Sequence, residues 1–297
     1  MIILIIIIII MVIIILYSII CLCINSKAVY NLQVSLELDK IEVTKIPIQD
    51  NVKIVFLAPV RNAMEGLPYT LETFRKIKHV FPNTRCVFIE NNSTDGTKEF
   101  IQKCMPKILD TTIIDGEPII KEGTNNERTG NSCGRVSRMV MLRNELLKHV
   151  KADDDIIIPI DADWPSCVKI QDFTKAINYL LSNSNVNGVI PLFLRHNQEF
   201  PFIDFYYDTF AYKDSETESL SSLAKDYKLL TTWLWPNKDY INVISAFGTM
   251  GIYKNLFPDI KYKTIISTSE NQCECEHIPY NSQIKNIHLL PWFKIVI

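Results

Sequence analysis

From residue 52 onward, short apolar runs of strand length alternate with longer stretches whose apolar residues recur at helical spacing, and this alternation most constrains the fold. Strands are predicted at 52–59, Thr84–Glu90, 111–114, 188–193 and 242–247, with one more ending at Asp161. Helices are predicted at Leu67–Val80, 96–104, 135–150 and 170–181. The pattern predicts an α/β fold in which a Rossmann-like, mostly parallel central sheet carries helices on both faces.

The N-terminal segment has a different character. Residues 1–24 contain no charged side chain, and as a helix they are long enough to cross a hydrocarbon core of roughly 30 Å. A cleaved signal peptide is the rival, but it needs a basic start and a small-residue cleavage site. We therefore predict an uncleaved, single-pass membrane anchor in the lipid bilayer, then a stem or edge strand at 25–50 and one domain at 51–297.

Two weak signals bear on which side of the membrane this domain lies. Lys27, just after the span, favours a cytosolic domain. The acceptor sequons Asn91-Asn92-Ser93 and Asn92-Ser93-Thr94 overlap in a loop where a glycan would obstruct the predicted ligand crevice. Together they favour the cytosol slightly, and a lumenal domain stays open.

Composition and cysteine spacing rule out some classes of partner. The formal net charge of −2 gives no basic field, so no nucleic-acid partner is expected. Of the eight cysteines, the six beyond the span are scattered without the rhythm of a disulfide module. Cys273 and Cys275 are too close together and too isolated for a zinc site, so the sequence predicts buried or free thiols.

Two carboxylates one residue apart, Asp161 and Asp163, follow an apolar run where a buried strand reaches the edge of the sheet. Ligands of open α/β sheets bind at the carboxyl ends of strands. Both aspartates can therefore reach one Mn²⁺ or Mg²⁺ ion that also grips a diphosphate, which is the layout of a nucleotide-sugar site. Acidic pairs at strand ends are common, and the position after the fourth strand is what favours a metal site.

Other strand ends supply further candidates. Glu90 closes the second strand and can accept hydrogen bonds from a nucleobase or ribose, and Asn92 and Asp95 belong to the capped turn after it. Residues 58–62 form the opposite wall of the predicted crevice. Arg135 and Arg138 share a helical face and Arg143 is placed differently, and a guanidinium fork at Arg138 or Arg143 suits a diphosphate.

Two motifs near the C-terminus complete the set. Gly248 and Gly251 lie at a strand end, where a backbone without side chains can approach a sugar closely. In Cys275-Glu276-His277, Glu276 is a candidate general base and His277 a candidate metal ligand.

The motifs resemble those of the GT-A nucleotide-sugar glycosyltransferases, in particular fungal capsule-associated mannosyltransferases and related viral and family-two-like enzymes. The matching pieces lie in order between about residues 52 and 285, and they are 90–97, Arg143-Asn144, 161–163, 207–211, 247–253 and 275–277. The chain departs from the resemblance at two places. No glycine precedes Ser93, and Thr249 stands where a second glycine is common, which puts the donor sugar and the loop geometry in question.

The resemblance implies a membrane-anchored hexosyltransferase whose domain spans 51–297. It would use a UDP- or GDP-linked sugar, Mn²⁺ or Mg²⁺, and a glycan, protein or lipid acceptor. It implies that Ala58, Pro59, Arg61 and Glu90 lie near the nucleoside, that Asp161 and Asp163 lie on the metal and diphosphate, and that Tyr207, Asp208 and 248–251 lie near the sugar or acceptor. It leaves open which of Asp208 and Glu276 is the base.

Two alternatives remain. A non-catalytic, membrane-anchored protein that binds nucleotide or carbohydrate would bind the donor without making product. A nucleotidyltransferase would share the acidic pair, but the sequence contains no Walker-type triphosphate loop.

Overall fold

The computed structural model describes residues 46–119, 132–163, 167–196, 204–206, 210–214, 239–256, 258–266 and 273–296. The predicted anchor at 1–24, most of the stem at 25–50, and both Tyr207 and Asp208 lie outside these residues. The chain divides into two units, Met1–Pro47 and Ile48–Ile297, and the second contains the fold described below. No helix among the described residues is long and apolar enough to cross a bilayer.

Five α-helices and eleven strands are present in the described residues. The helices are α1 (Leu67–Val80), α2 (Thr97–Cys104), α3 (Cys133–Leu147), α4 (Ile170–Ser182) and α5 (His277–Ile284). The first six strands are β1 (Ile54–Val60), β2 (Thr84–Glu90), β3 (Asp110–Asp115), β4 (Ile156–Pro159), β5 (Gly188–His196) and β6 (Asp204–Tyr206). The others are β7 (Tyr212–Lys213), β8 (Ile241–Val243), β9 (Ser245–Ala246), β10 (Ile252–Lys254) and β11 (Ile287–Val296).

The main sheet has nine strands in the order β3-β2-β1-β4-β10-β5-β11-β8, with β6 paired to β5. The strands β3, β2, β1 and β4 are parallel, as the alternation of strands and helices predicts. The short strand β10 then runs antiparallel to both β4 and β5, and β8 runs antiparallel to β11. The prediction of a mostly parallel sheet is therefore correct for one half only, and the sheet as a whole is mixed.

Helices cover both faces of the parallel strands, because successive side chains of β1 point to opposite faces. Val55 and Leu57 belong to a buried cluster with Leu142 and Leu146 of α3. Phe56, between them, faces the other way, with its ring centroid 4.6 Å from that of Phe74 on α1. The apolar run of β1 is thus buried on both sides, as is typical of parallel strands.

Asp154 and Asp155, just before β4, fix the end of the sheet remote from the candidate site. The buried Asp154 forms an ion pair with Arg85, which also donates to the His149 carbonyl at 2.9 Å. Asp155 accepts a hydrogen bond from the backbone N–H of Lys53 at 2.8 Å. Charge-assisted hydrogen bonds of this kind fix where β4 begins beside β1 and β2.

The prediction of unpaired thiols is wrong for one pair. Cys133 and Cys273, 140 residues apart in sequence, form a disulfide with a Cα–Cα distance of 5.0 Å. Cys133 opens α3, and Cys273 pairs with Ile266 in an isolated β-bridge. The sequence does not predict this pair, because no local spacing pattern connects cysteines so far apart. Among the described residues, Cys86, Cys104, Cys167 and Cys275 are not in disulfides.

Candidate functional site

A cavity of about 390 Å³ opens at the carboxyl ends of β1 and β4. The strand order reverses at this point, since β2 lies on one side of β1 and β4 on the other. Open α/β sheets bind ligands at such switch points, and the volume falls in the range of small-molecule sites. Its polar and charged lining includes Arg61, Asn62, Asn91, Arg135, Arg138, Arg143, Asp161, Asp163, Glu276 and His277.

One wall consists of the loops after β1 and β2, which are joined by hydrogen bonds. Asn62 has a positive φ of 49°, a conformation that asparagine tolerates better than most residues. Its backbone N–H donates to Ser93 Oγ at 2.9 Å, and its Oδ1 accepts from the Thr94 N–H at 2.7 Å. The Ala63 N–H donates to Thr97 Oγ1 at 2.8 Å. These local bonds hold the wall in one conformation.

Asp95 belongs to the same network of hydrogen bonds between the two loops and is not part of the cavity lining. Its carboxylate accepts from the backbone N–H groups of Met64 (3.1 Å) and Thr97 (3.0 Å). Desolvation acts to raise the pKa of Asp95, but the hydrogen bonds from Thr97 and Met64 outweigh it and lower that pKa. Asn92 is exposed at a positive φ of 53°. Neither residue is part of the cavity lining, so their predicted contact with the donor stays a prediction.

Glu90 is buried at the end of β2, with its carboxylate committed to the turn. Its Oε1 accepts from the Ser93 N–H at 2.7 Å, and its Oε2 lies 3.9 Å from Lys98 Nζ. The next residue, Asn91, lines the cavity in its place. One oxygen of the Glu90 carboxylate already accepts a hydrogen bond from Ser93, and the contact between Glu90 and the nucleoside stays a prediction.

The acidic segment after β4 is held on two sides. The Asp161 N–H donates to the Thr249 carbonyl at 2.8 Å, and the Gly251 N–H donates to the Pro159 carbonyl at 3.2 Å. From the other side, the Thr70 hydroxyl of α1 donates to the Ala162 carbonyl at 3.1 Å. With this backbone fixed, Asp161, Ala162 and Asp163 all line the cavity, and Ala162 is buried.

Arg143 on α3 joins the acidic segment to the Cys275-Glu276-His277 turn. Its Nη2 lies 2.7 Å from Asp161 Oδ1, and its Nε lies 3.4 Å from Glu276 Oε1. The guanidinium carbon also lies 5.3 Å from the centroid of the Phe247 ring. Burial acts to lower the pKa of Arg143, but Asp161 and Glu276 raise it above its ordinary range, so the side chain stays charged.

Glu276 and His277 are almost completely buried, each with only 2–3% of its side chain exposed. Glu276 Oε1 lies 3.9 Å from His277 Nε2, and the His277 ring stacks on Phe247 with centroids 3.4 Å apart. Burial, followed by the charges of Arg143 and Arg135, lowers the pKa of His277 well below its ordinary value, so the ring is neutral. Neither ring nitrogen has a hydrogen-bond partner among the described residues.

Arg135, Arg138 and Arg143 all line the cavity, although their helical spacing places Arg143 on a different face. Long side chains can bring charged ends together from separate faces of a helix, and this accounts for the difference. Arg61, from the loop after β1, lines the cavity as well. The site therefore brings four guanidinium groups around one cavity, which is a suitable environment for phosphate oxygens.

Three other predicted residues are placed as follows. Pro59 lines the cavity, whereas Ala58 is fully buried in β1 and does not. Gly248 is not part of the lining either, and a Cβ built on it would come within 2.4 Å of the Phe193 ring. The glycine at 248 is thus required by close packing against Phe193, while its predicted contact with the sugar stays a prediction.

The side chains that line the cavity supply some of the ligands that a hard divalent cation needs. Asp161 and Asp163 present carboxylate oxygens to the cavity, and Mn²⁺ and Mg²⁺ take such ligands together with phosphate oxygens and water. Within the described ranges, however, no three His, Cys, Asp or Glu side chains cluster closely enough to hold a metal ion. His277 is therefore not brought together with the two aspartates as the predicted third ligand, because it is stacked on Phe247.

Several residues of the lining have no predicted role, and two of them show why. Asn91 and Phe247 each lie beside a residue that was predicted instead, Glu90 and Gly248. Asn91 and Phe247 each follow the last residue of a strand, where consecutive side chains point in different directions, so an error of one residue selects the wrong side chain. Choosing the right residue requires the register of the strands, which the motifs alone do not give.

No protein-family model matches the chain, and no curated protein does either. Solved structures show partial likeness. The S. aureus TarS fragment 1–349 is 11% identical with a TM-score of 0.46, over 82% of this chain and 60% of that one. The mannosyltransferase PcManGT from Pyrobaculum calidifontis, in complex with GDP-Man and Mn²⁺, is 14% identical with a TM-score of 0.47, over 90% and 64%.

Mannosyl-3-phosphoglycerate synthase from Rubrobacter xylanophilus is 12% identical with a TM-score of 0.42, over 73% of this chain and 61% of that one. This chain thus spans less than two thirds of the length of each of these proteins.

Proposed function

We propose that this chain transfers a sugar from a nucleoside diphosphate sugar to an acceptor hydroxyl. The observation that carries the proposal is one cavity, at the switch point between β1 and β4, lined by two aspartates and by three arginines of α3. Carboxylates alone would suit a cation, and arginines alone an anion. Their combination suits a metal–diphosphate group, in which both charges meet.

The described residues divide between two tasks. Arg135 and Arg138 would donate hydrogen bonds to the diphosphate, which carries the charge that develops on the leaving group. Asp161 and Asp163 would hold the divalent ion, and the ion, when bound, neutralises the departing phosphate. Arg61 and Asn91, on the wall built by the loops after β1 and β2, would contact the nucleoside.

The choice of base is narrowed by the surroundings of Glu276. Its carboxylate is buried and paired with Arg143, so we propose that it positions Arg143 rather than taking the acceptor proton. The base assignment then passes to Asp208, which lies outside the described residues and stays a prediction. The same holds for the membrane anchor at 1–24 and for the glycan, protein or lipid acceptor.

A thermal-shift experiment on the full chain tests the donor site. UDP and GDP, each with and without Mn²⁺, are the first ligands to use. A ligand that binds only the folded state stabilises it, by about 2.7 kcal/mol at a concentration one hundred times its Kd. We expect a Mn²⁺-dependent rise in the melting temperature with one of the two nucleotides.

Matched variants locate the response. Asp161→Asn together with Asp163→Asn should abolish it, whereas Asp153→Asn, in an exposed pair with Lys53 away from the cavity, should leave it intact. Binding of a sugar nucleotide without any transfer product would support the non-catalytic alternative. Release of pyrophosphate from a nucleoside triphosphate would support the nucleotidyltransferase.

A further inference from the structure

The Cys133–Cys273 disulfide joins the two segments that carry most of the charged groups of the cavity. Cys133 is the first residue of α3, two positions before Arg135. Cys273 lies three positions before Glu276 and four before His277. The bond therefore sits within one helical turn of Arg135 on one side and within four residues of the buried Glu276-His277 pair on the other.

Other contacts hold α3 further along its length. Asn144 donates to the Tyr262 carbonyl at 3.0 Å and accepts from the Tyr262 N–H at 2.9 Å. Arg143 reaches Glu276 at 3.4 Å, and the Ser137 and Thr264 hydroxyl oxygens lie 3.4 Å apart. Of these links between α3 and the segments at 262–264 and 273–276, the disulfide is the one at the first turn of the helix.

The geometry assigns the disulfide a role in positioning the donor-binding arginines. With the bond intact, the first turn of α3 is held against the segment that leads into Glu276, so Arg135 and Arg138 keep their places over the cavity. With the bond broken, Asn144, Arg143 and Ser137 still hold the helix further along, while its first turn loses the covalent link to the segment at 273–276. Donor affinity then depends on the bond, and this inference rests on the proposed function.

The same dependence bears on the compartment. Disulfides persist in the secretory lumen and outside the cell, and they are reduced in the cytosol. A donor site that needs the bond works on the oxidising side of the membrane, the reverse of the slight preference drawn from Lys27. Of the overlapping sequons, Asn91 is buried and Asn92 is exposed outside the cavity lining, so a lumenal domain would offer Asn92 to glycosylation.

The central measurement is the Kd of UDP and of GDP, with Mn²⁺, for the full chain before and after treatment with dithiothreitol. The dithiol gives two electrons and two protons to the Cys133 and Cys273 sulfurs, whose S–S bond breaks, and it closes into a cyclic disulfide. Alkylation followed by mass spectrometry confirms the cleavage, and circular dichroism confirms that the chain stays folded. We expect the Kd to rise about tenfold.

Four variants separate positioning from general stability. The double variant Cys133→Ala, Cys273→Ala should show the weaker Kd and should not respond to dithiothreitol, whereas Cys104→Ser, at a free thiol, should behave as the wild type. In an Arg135→Ala, Arg138→Ala background, breaking the bond should change the Kd by less than about twofold, because the bond acts through these two arginines. In an Arg61→Ala background, the tenfold effect should persist.

Val186→Ala, a buried substitution that is not part of the cavity lining, serves as the stability control. It should lower the melting temperature without changing the Kd. An equal rise in Kd for Val186→Ala would show that the effect is one of stability and overturn the inference, and so would an unchanged Kd in chains whose bond is proven broken. If the oxidised wild type binds neither nucleotide, the proposed function itself fails.

Discussion

The two halves of the main sheet build their parts of the cavity in different ways. In the parallel half, β1 to β4, the site residues outside α3 sit at strand ends or in the loops directly after them, and neighbouring loops hold them by hydrogen bonds. In the mixed half, β5 to β11, Glu276 is held by Arg143, 133 residues earlier, and Cys273 is bonded to Cys133. Hydrogen bonds between neighbouring loops therefore hold the site residues of the parallel half, and links between residues distant in sequence hold those of the mixed half.

This difference shows where the site is most vulnerable. A loop fixed by many short-range hydrogen bonds can lose one of them and keep its conformation. The buried Glu276 carboxylate depends on Arg143, which is distant in the sequence. Loss of Arg143 would leave a buried charge without a partner. Substitutions at the junction of the halves should therefore cost more than substitutions in the parallel half.

The largest effect is expected at Arg143. Arg143→Met would leave the buried Glu276 without its cation and should lower the free energy of unfolding by about 3–5 kcal/mol, measured by urea denaturation. The control Arg75→Met removes an exposed pair with Glu72 on α1 and should cost less than about 1 kcal/mol. Adding Glu276→Gln to Arg143→Met should recover part of the loss. Equal effects of the two methionine variants would show that the junction does not depend on this pair.

Gly248, in the mixed half, should respond through packing. Gly248→Ala places a Cβ within 2.4 Å of the Phe193 ring and should cost about 1–3 kcal/mol of unfolding free energy. Phe193→Leu in the same chain should relieve the clash and restore part of the stability. If the double variant is no more stable than the sum of its parts predicts, contact with Phe193 is not the reason for glycine at 248.

In the parallel half, Asn62 provides the matching test, because it joins the loops after β1 and β2 by hydrogen bonds. Asn62→Ala removes the acceptor for the Thr94 N–H and places alanine at a positive φ, so we expect a loss of about 1–2 kcal/mol in thermal unfolding. Asn62→Asp keeps the acceptor and should stay near the wild type. Asn62→Gly keeps the backbone conformation but not the acceptor, and it should fall between them. A loss as large as that of Arg143→Met would erase the contrast between the halves.

The smallest effect concerns pH and lies in the mixed half. His288 donates to or accepts from the Tyr179 hydroxyl at 2.8 Å and stacks on Tyr240, and burial lowers its pKa below 6.5. The unfolded chain then binds the proton more readily than the folded one, so stability falls as the pH drops through the unfolded pKa toward the folded one.

The expected loss is at most about 1 kcal/mol after allowance for solvent screening. Denaturation of the wild type and of His288→Phe between about pH 5 and 8 would show a shallower slope for the variant. Identical slopes would mean that other groups set the pH dependence of the mixed half.

The sequence predicted the parallel half better than the mixed half, for physical reasons. The bounds of α1 and β2 match the prediction, because Pro68 lies at the start of α1 and Pro82 separates its end from the start of β2. The strand β10 has three residues and no alternation to read, so its antiparallel insertion beside β4 had no signal. The cavity lining illustrates the same limit, since Asp161 and Arg143 were predicted from motifs and Phe247 required the fold.

The pairing of the acidic segment with 249–251 has one further consequence. Hydrogen bonds from Asp161 to Thr249 and from Gly251 to Pro159 extend the β4–β10 pairing beyond the strands themselves. The backbone that carries the two aspartates is thus immobilised when the chain folds. When a ligand binds, only side chains of this segment still have to become ordered. The loss of conformational entropy on binding is therefore small, and the segment is preorganised.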